Sequence, residues 1–466
     1  MDQVSDNIFF LPILDKFLGY SPLNGVSAMV NRSGMLELTK QMKLITKMQG
    51  DPKSHLFELA SEILQHPFQF PPIKKGSLNP EFLGIIPTRS CNGACIYCDF
   101  GVDKPYSGKM TYKTAAMATD WFVSLMEKHN RKSIDIHFFG GEPMMAFDVI
   151  EVVVHRARLL AAQKHMIPYF EISTNGIYSE KKARFLGSYF NKVVLSLDGT
   201  EDIQNFHRPL PDGEKSFENA IQTAHIISDS MAELCLRCCI SHLNIERMEE
   251  ITHWYCETFK PSVINYEVLC ETPATLSKSL LPPDPYDFAI NFIKSREIGK
   301  KHGVHVVYAS DIGAQITNSS CPVGKDTAIF SPDGRISNCY LLPERWHYVG
   351  LDLDFGIIDK DGAIQINEQK IEAIRKVISS KPRCDRCICR WHCAGGCHVG
   401  NSYPGCSDNY DNFCIQTRII VACSLLSALG MRQETELLLN DKESLRKLAL
   451  NDSDLLPDFI PAKSIC

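Results

Sequence analysis

From Phe82 to about Tyr308 the chain repeats one pattern six times, a short apolar run followed by an amphipathic stretch. Strands are expected at 82–88, 132–139, 168–174, 191–197, 234–241 and 263–269. Amphipathic helices are expected near 112–128, 146–163, 179–187, 216–229, 245–258 and 285–301. Such a series implies an α/β fold with a parallel sheet and right-handed crossovers, either curled into a partial barrel or doubly wound. Each polar stretch that carries chemistry falls just after a strand, at the ends where parallel α/β proteins and barrels assemble their sites. That placement favours the barrel.

After the first strand comes Cys91-Asn-Gly-Ala-Cys95-Ile-Tyr-Cys98, with three thiols in eight residues. Four cysteines would close a [4Fe–4S] cube or a zinc tetrahedron, whereas three leave one metal open to a small chelating ligand. A structural zinc knuckle is the plain alternative. After the strand near 133–139 come Gly140-Gly141-Glu142-Pro143, where glycines admit close backbone approach and a carboxylate suits an ammonium group. Ser173-Thr174-Asn175-Gly176 and Ser196-Leu197-Asp198-Gly199 follow the next two strands, both turn-like and rich in hydroxyl or amide groups. Arg208, twelve positions after Ser196, offers a bidentate clamp for a carboxylate. Arg237 lies among Leu, Cys and Ile in a strand, and a buried guanidinium there requires a partner.

The order C-x3-C-x-aromatic-C, Gly-Gly-Glu-Pro, Ser-Thr-Asn-Gly and Ser-Leu-Asp-Gly with a downstream Arg resembles the radical S-adenosylmethionine (SAM) enzymes. The resemblance implies a partial (β/α)6 barrel and a [4Fe–4S] cluster on Cys91, Cys95 and Cys98, with SAM chelating its open iron. It further implies that Glu142 with the Gly140–Gly141 backbone holds the SAM amino group. Ser196 and Arg208 would hold its carboxylate, Ser173 or Asn175 its ribose, and Tyr97 its adenine; Arg237, from its strand context alone, is a further ligand candidate.

A second array comprises Cys321, Cys339, Cys384, Cys387, Cys393, Cys397 and Cys414, too many thiols for one metal ion. The Pro332-Asp333-Gly334 turn between strand-like Thr327–Phe330 and Arg335–Cys339 is expected to bring Cys321 and Cys339 together across a hairpin. The array resembles the SPASM extension of radical SAM enzymes, which implies two auxiliary [4Fe–4S] clusters and three clusters in all. On that pattern Cys321, Cys339 and Cys397 bind the nearer cluster, and Cys384, Cys387, Cys393 and Cys414 close the farther one. Cys389 and Cys406 depart from the spacing, and either is able to replace an assigned ligand. A pair of zinc ribbons is the alternative. His392, His398 and Trp391 flank these thiols and read as packing or outer-shell residues.

Composition narrows the rest. Of nineteen cysteines, ten fall into patterned groups and argue for metal ligation in a reducing compartment, while the others, such as Cys238, Cys239 and Cys256, sit in apolar contexts and read as small core residues. The net charge of −6 and dispersed charges disfavour nucleic acid, and no apolar run spans a bilayer, so a cytoplasmic protein is expected. Residues 1–80 read as short strands with a hairpin over Phe9–Val30, then helices near Met35–Met48 and His55–Gln65. This suits an N-terminal α+β docking module, or a cap on the barrel, with Pro71-Pro72 and Lys74-Lys75-Gly76 as linker. The expected division is 1–80 docking module, 81–308 radical SAM barrel, 309–425 auxiliary cluster domain and 426–466 helical tail, with one helix over Glu434–Leu450.

The module resembles the precursor-recognition segments of maturases for ribosomally made peptides. That resemblance implies hydrogen abstraction from a precursor peptide with a leader, a thioether or carbon–carbon crosslink, and a flavodoxin- or ferredoxin-type electron donor. An anaerobic sulfatase-maturing formylglycine synthase is the alternative; those enzymes place Asp directly after the hairpin cysteine as a base, where this chain has Tyr340, itself the one catalytic candidate. A non-catalytic iron–sulfur electron-transfer protein would leave the groups at the strand ends without a purpose.

Overall fold

The computed structural model describes residues 8–65, 69–98, 100, 108–271, 273–308, 316–321, 323–359, 361–377, 384, 387–399 and 411–450. The chain opens with β1 (Phe9–Ile13), β2 (Lys16–Ser21) and β3 (Val26–Val30), a three-stranded antiparallel sheet in that order, followed by α1 (Arg32–Thr46) and α2 (Phe57–Gln65). The hairpin read from sequence is thus extended by a third strand. Alternation splits this sheet between two cores. Ile8 and Phe10 pack with Met35, Leu38, Met42, Ala60 and Ile63, while Phe9, Leu11, Leu18 and Tyr20 join the main core.

The repeat follows as β4 (Leu83–Ile85), α3 (Tyr112–Lys128), β5 (Ser133–Phe138), α4 (Phe147–Gln163), β6 (Ile167–Thr174), α5 (Glu180–Tyr189), β7 (Lys192–Ser196), α6 (Glu201–His207), α7 (Phe217–Ser228), β8 (Glu233–Ile240), α8 (Met248–Thr258) and β9 (Val263–Val268). Then come α9 (Pro273–Ser277), α10 (Pro285–His302) and β10 (His305–Tyr308). Local signals set these limits: the Thr111 hydroxyl accepts from Thr114 N to start α3, and Asp284 caps α10 ahead of Pro285. Gly303, at φ +72°, ends α10 in the left-handed region.

Strands β4 to β10 are parallel and lie in sequence order. A doubly wound sheet reverses its order at a switch point; an unreversed row of right-handed crossovers puts every connecting helix on one face. The side chains agree. Ile134, Ile136, Phe138, Phe170, Ile172, Val193, Leu195, Leu234, Leu236, Ile264 and Tyr266 are buried in the main core. On the opposite face Asp135, His137, Tyr169, Glu171, Ser173, Lys192, Ser196, Arg237, Asn265 and Glu267 are only partly buried. One face is hydrocarbon against helices and the other a polar lumen, as in an open partial barrel.

Beyond β4 the row continues through β11 (Ala328–Phe330), parallel to β4, and β12 (Arg335–Ser337), antiparallel to β11. After α11 (Pro343–Tyr348), β13 (Asp354–Ile358) and β14 (Ile364–Ile366) complete an 11-stranded sheet. Next come α12 (Glu368–Val377), α13 (Asn412–Ala428), α14 (Arg432–Leu439) and α15 (Lys442–Leu450). The single tail helix expected over 434–450 is in fact two, because the chain turns at Asn440 and Asp441, whose side chain accepts from Glu443 N to restart the helix.

The stretch before β4 is tied down from below. Arg375, buried, donates to Asp326 through Nε at 2.7 Å and to Gly76 O at 2.7 Å, while Asn79 N donates to the same Asp326 carboxylate at 3.1 Å. The Lys74–Gly76 stretch is therefore anchored to the start of β11. No helix among the described residues is long and apolar enough to cross a membrane.

Candidate functional site

The loop after β4 gathers Cys91, Cys95 and Cys98 near one another. An added Cβ on Gly93 would sit 3.7 Å from Cys91 Sγ and 3.8 Å from Cys95 Sγ, and the three thiols act electrostatically on one another. Burial pushes the Cys91 thiol up to about 12 and Cys95 up to about 11, so thiolates here need positive partners. Donors are in place. Asn175 Nδ2 points to Cys91 Sγ at 3.8 Å, Gly93 N donates to it at 3.3 Å, and Arg208 Nη1 reaches Cys95 Sγ at 3.9 Å.

Gly140 and Gly141 earn their place by contact. A Cβ on Gly140 would fall 2.6 Å from Thr88 O, and one on Gly141 would fall 2.2 Å from Ser90 O. With no side chain between them, Gly141 N donates to Thr88 O at 3.1 Å and Glu142 N to Ser90 O at 2.8 Å. The Gly-Gly-Glu turn is thus laced to the cysteine loop.

Glu142, expected to face a ligand ammonium, is buried and already accepts three bonds: Met144 N at 2.9 Å, Thr174 Oγ1 at 2.9 Å and Asn175 N at 2.7 Å. Burial still pushes its pKa up to about 7. Among the described residues only Asn175 N donates to Oε2, which keeps a lone pair unused there. Asn175 in turn donates to Asn92 Oδ1 at 2.9 Å, joining the third motif to the loop. Ser173 lies on the lumen side of β6.

The group that sequence reading missed is Asp198. It is fully buried, and its Oδ2 accepts from Tyr97 Oη at 2.6 Å, Arg208 Nε at 2.9 Å and His207 Nδ1 at 3.2 Å, while Oδ1 accepts from Cys239 N at 2.9 Å. Burial alone would raise its pKa, but the Arg208 guanidinium and His207 outweigh that and hold it below the usual carboxylate range. Tyr97, expected at an adenine, spends its hydroxyl on this carboxylate, and the Arg208 guanidinium lies 5.3 Å from the centre of its ring. Among the described residues Arg208 Nη2 has no hydrogen-bond partner, and it is the donor left for a ligand.

Arg237 is not the buried guanidinium anticipated from its apolar neighbours. It faces the lumen, in register with Ser196, its side chain is 38% exposed, and it pairs with Glu267 at 3.5 Å. Period-two alternation puts its apolar neighbours on the helix side. In the same lumen Glu171 pairs with Lys192 at 3.0 Å, and His137 stacks on Phe82 at 4.1 Å.

Docking of the β11–β12 hairpin beside β4 brings the hairpin's Cys339–Tyr340 end to this loop, where Arg89 Nη1 donates to Tyr340 O at 3.0 Å. Cys339 feels Cys321 and Cys397, and burial pushes its thiol up to about 12. Cys387, Cys393 and Cys414 form a second set, since the first two act on Cys414. Cys384 is adjacent in the chain turn, its carbonyl accepting from Cys387 N at 3.1 Å. Cys389 is buried beside Cys387 and Cys393, within the second set, while Cys406 lies outside the described residues. Arg418, buried on α13, donates to Cys387 Sγ at 3.5 Å. His392 accepts or donates to Tyr20 Oη at 2.8 Å, tying the N-terminal sheet to this array. His398 lies 3.5 Å from Ser319 Oγ, which also donates to Cys321 O at 3.0 Å.

Tyr340 follows Cys339 into the lumen. Its hydroxyl is buried with no hydrogen-bond partner among the described residues and occupies the space left by Gly84, whose Cβ would stand 2.8 Å from it. Burial raises its pKa, so it is an O–H donor and not a base.

Residues 85–255, from β4 through α8, match the Radical SAM superfamily. This segment is a radical SAM domain. The radical SAM cyclopropyl synthase TigE of Paramaledivibacter caminithermalis is 25% identical over 31% of this chain and 32% of its own length. The cysteine-type anaerobic sulfatase-maturating enzyme of Clostridium perfringens (strain 13 / Type A) is 26% identical over 46% of this chain and 59% of its own. Among solved structures, native anSMEcpe with bound AdoMet and Kp18Cys peptide superposes with a TM-score of 0.58 at 18% identity, covering 78% of this chain and 99% of that one. The fold is therefore that of radical SAM enzymes with SPASM-type extensions. The radical SAM family implies a [4Fe–4S] cluster and SAM, and three neighbouring thiols on one loop with N–H donors at Cys91 fit such a cluster.

Proposed function

We propose that the chain is a radical SAM/SPASM peptide maturase that abstracts hydrogen from a precursor peptide to install a thioether or carbon–carbon crosslink. When bound and reduced, the cluster and SAM supply a 5′-deoxyadenosyl radical. The chain's residues do the holding. Cys91, Cys95 and Cys98 ligate the cluster, Arg208 Nη2 and Ser196 take the SAM carboxylate, and Glu142 Oε2 with the Gly140–Gly141 backbone takes its ammonium. Ser173 or Asn175 meets the ribose, and the Tyr97 ring the adenine. Cys321, Cys339 and Cys397 hold a nearer auxiliary cluster, and Cys384, Cys387, Cys393 and Cys414 a farther one, with Cys389 the neighbouring substitute.

The observation that carries this reading is the pairing of β11 with β4, which sets the Cys339 hairpin against the SAM-cluster loop over one polar lumen. The lumen suits an extended peptide, because Ser173, Arg237, Asn265 and Glu267 offer donors and acceptors for main-chain groups. The anSMEcpe structure carries a bound Kp18Cys peptide, which is consistent with a peptide here. A sulfatase-maturing reaction is supported by its named relatives but disfavoured by Tyr340, which cannot serve as the carboxylate base.

Residues 1–80 form the docking module. Its β3 pairs only with β2 among the described residues, which leaves an edge where a leader can add a strand. The test is anaerobic incubation with SAM, reductant and the short peptides encoded beside this gene. The reading predicts 5′-deoxyadenosine together with a peptide lighter by one H2. Deoxyadenosine with no altered peptide, across every such candidate, would count against a peptide substrate.

A further inference from the structure

Each cysteine group has an arginine against it: Arg208 at Cys95, Arg418 at Cys387, and Arg89 on the hairpin side. Arg208 is neutralised by Asp198. Arg89 is different. It stands two residues before Cys91, so its main chain belongs to the SAM-cluster loop, clamped there by the bonds from Gly141 N to Thr88 O and Glu142 N to Ser90 O. Its guanidinium crosses to the other cysteine set, donating from Nη1 to Tyr340 O at 3.0 Å.

The ionisable groups that act on it are Asp333, Arg335, Cys339 and Glu344. Asp333 is engaged by Arg335 Nε at 2.8 Å and Ser331 Oγ at 2.6 Å, and Glu344 is exposed on the first turn of α11. Among the described residues no carboxylate is in ion-pair contact with Arg89. Arg89 is half-buried, and a guanidinium partly withdrawn from water without a counter-ion carries a cost that falls when an anion occupies the neighbouring site. A cluster ligated by thiolates is such an anion.

We propose that Arg89 is the counter-ion of the centre held by Cys321, Cys339 and Cys397, and sets its reduction potential from within the SAM-cluster loop. The proposal rests on the ligand reading given above. A fixed positive charge favours the more negative, reduced form of a cluster, so Arg89 makes this centre a better electron acceptor than its ligands alone would. Because the same loop carries Cys91, the charge and the SAM site are fixed relative to each other.

The test uses the full-length reconstituted protein as wild type, Arg89→Lys, Arg89→Met and Cys339→Ala, with iron analysis and redox titration followed by electron paramagnetic resonance. Cys339→Ala should lose one cluster's iron; no loss would remove the centre, and the ligand reading would fail first. In Arg89→Met one auxiliary centre should become about tenfold harder to reduce, about 59 mV for one electron, with Arg89→Lys close to wild type. Loss of that cluster in Arg89→Met but not in Arg89→Lys would equally support the counter-ion role. Unchanged potentials in Arg89→Met, or loss of the cluster in both variants, would overturn it.

Discussion

Replacing Asp198 by Asn keeps the size of the hub and removes its charge. Tyr97, His207 and Arg208 all donate to Oδ2, and Cys239 N donates to Oδ1. A carboxamide has one oxygen, so whichever way it turns its NH2 meets a donor, either Arg208 Nε–H or Cys239 N–H. Charge-assisted bonds are worth about 1.5–3 kcal/mol each, but three that share one oxygen are not additive. Stripping the partner from a buried cation costs about 3–5 kcal/mol. Arg208 keeps Cys95 Sγ at 3.9 Å, so the loss should lie near the lower end. Thermal unfolding should therefore show Asp198→Asn destabilised by about 3 kcal/mol, and SAM affinity should fall about tenfold or more as the clamp loses its anchor. In the Asp198→Asn/Arg208→Gln double variant part of the stability should return while SAM affinity does not. A variant that melts and binds SAM like the wild type would refute the hub.

Three further outcomes follow from the same geometry. Glu142 has a folded pKa of about 7, above its ordinary value, so the stability from its neutral form is complete in acid and is lost as pH rises through 7. The stability of wild type relative to Glu142→Gln should thus decline from about pH 5 to pH 8, and a flat difference would contradict the burial argument. Gly141→Ala forces a Cβ to within 2.2 Å of Ser90 O, so it should lose SAM-cluster iron while keeping auxiliary iron; full iron content would show that the turn yields. Cys389→Ala should lower auxiliary iron if Cys389 ligates in place of an assigned thiol, and leave it unchanged if Cys384, Cys387, Cys393 and Cys414 suffice, which the ligand reading expects.

Much of this was legible in the sequence because its signals are local. Hydrophobic periodicity located the strands and helices of the repeat, and polar motifs at strand ends marked the lumen mouth. The Pro332-Asp333-Gly334 turn gave the β11–β12 hairpin. What stayed hidden depends on distant pairing. Asp198 reads as a turn residue because its partners Tyr97 and Cys239 come from other strands and loops. The place of the hairpin rests on the parallel pairing of β11 with β4, which no local pattern encodes. Arg237 misled because apolar neighbours in a strand describe the opposite face. The break between α14 and α15 hangs on a single capping carboxylate within an otherwise continuous amphipathic run.

The central claim is that three cysteines serve SAM while the remaining patterned thiols hold separate centres. It is tested most directly by iron analysis and SAM cleavage on one anaerobic preparation of wild type and of the Cys91, Cys95 and Cys98 triple Ala variant. The account predicts about twelve irons in the wild type and about eight in the variant, with deoxyadenosine formed only by the wild type. Zinc in place of iron, or SAM cleavage surviving in the variant, would contradict it.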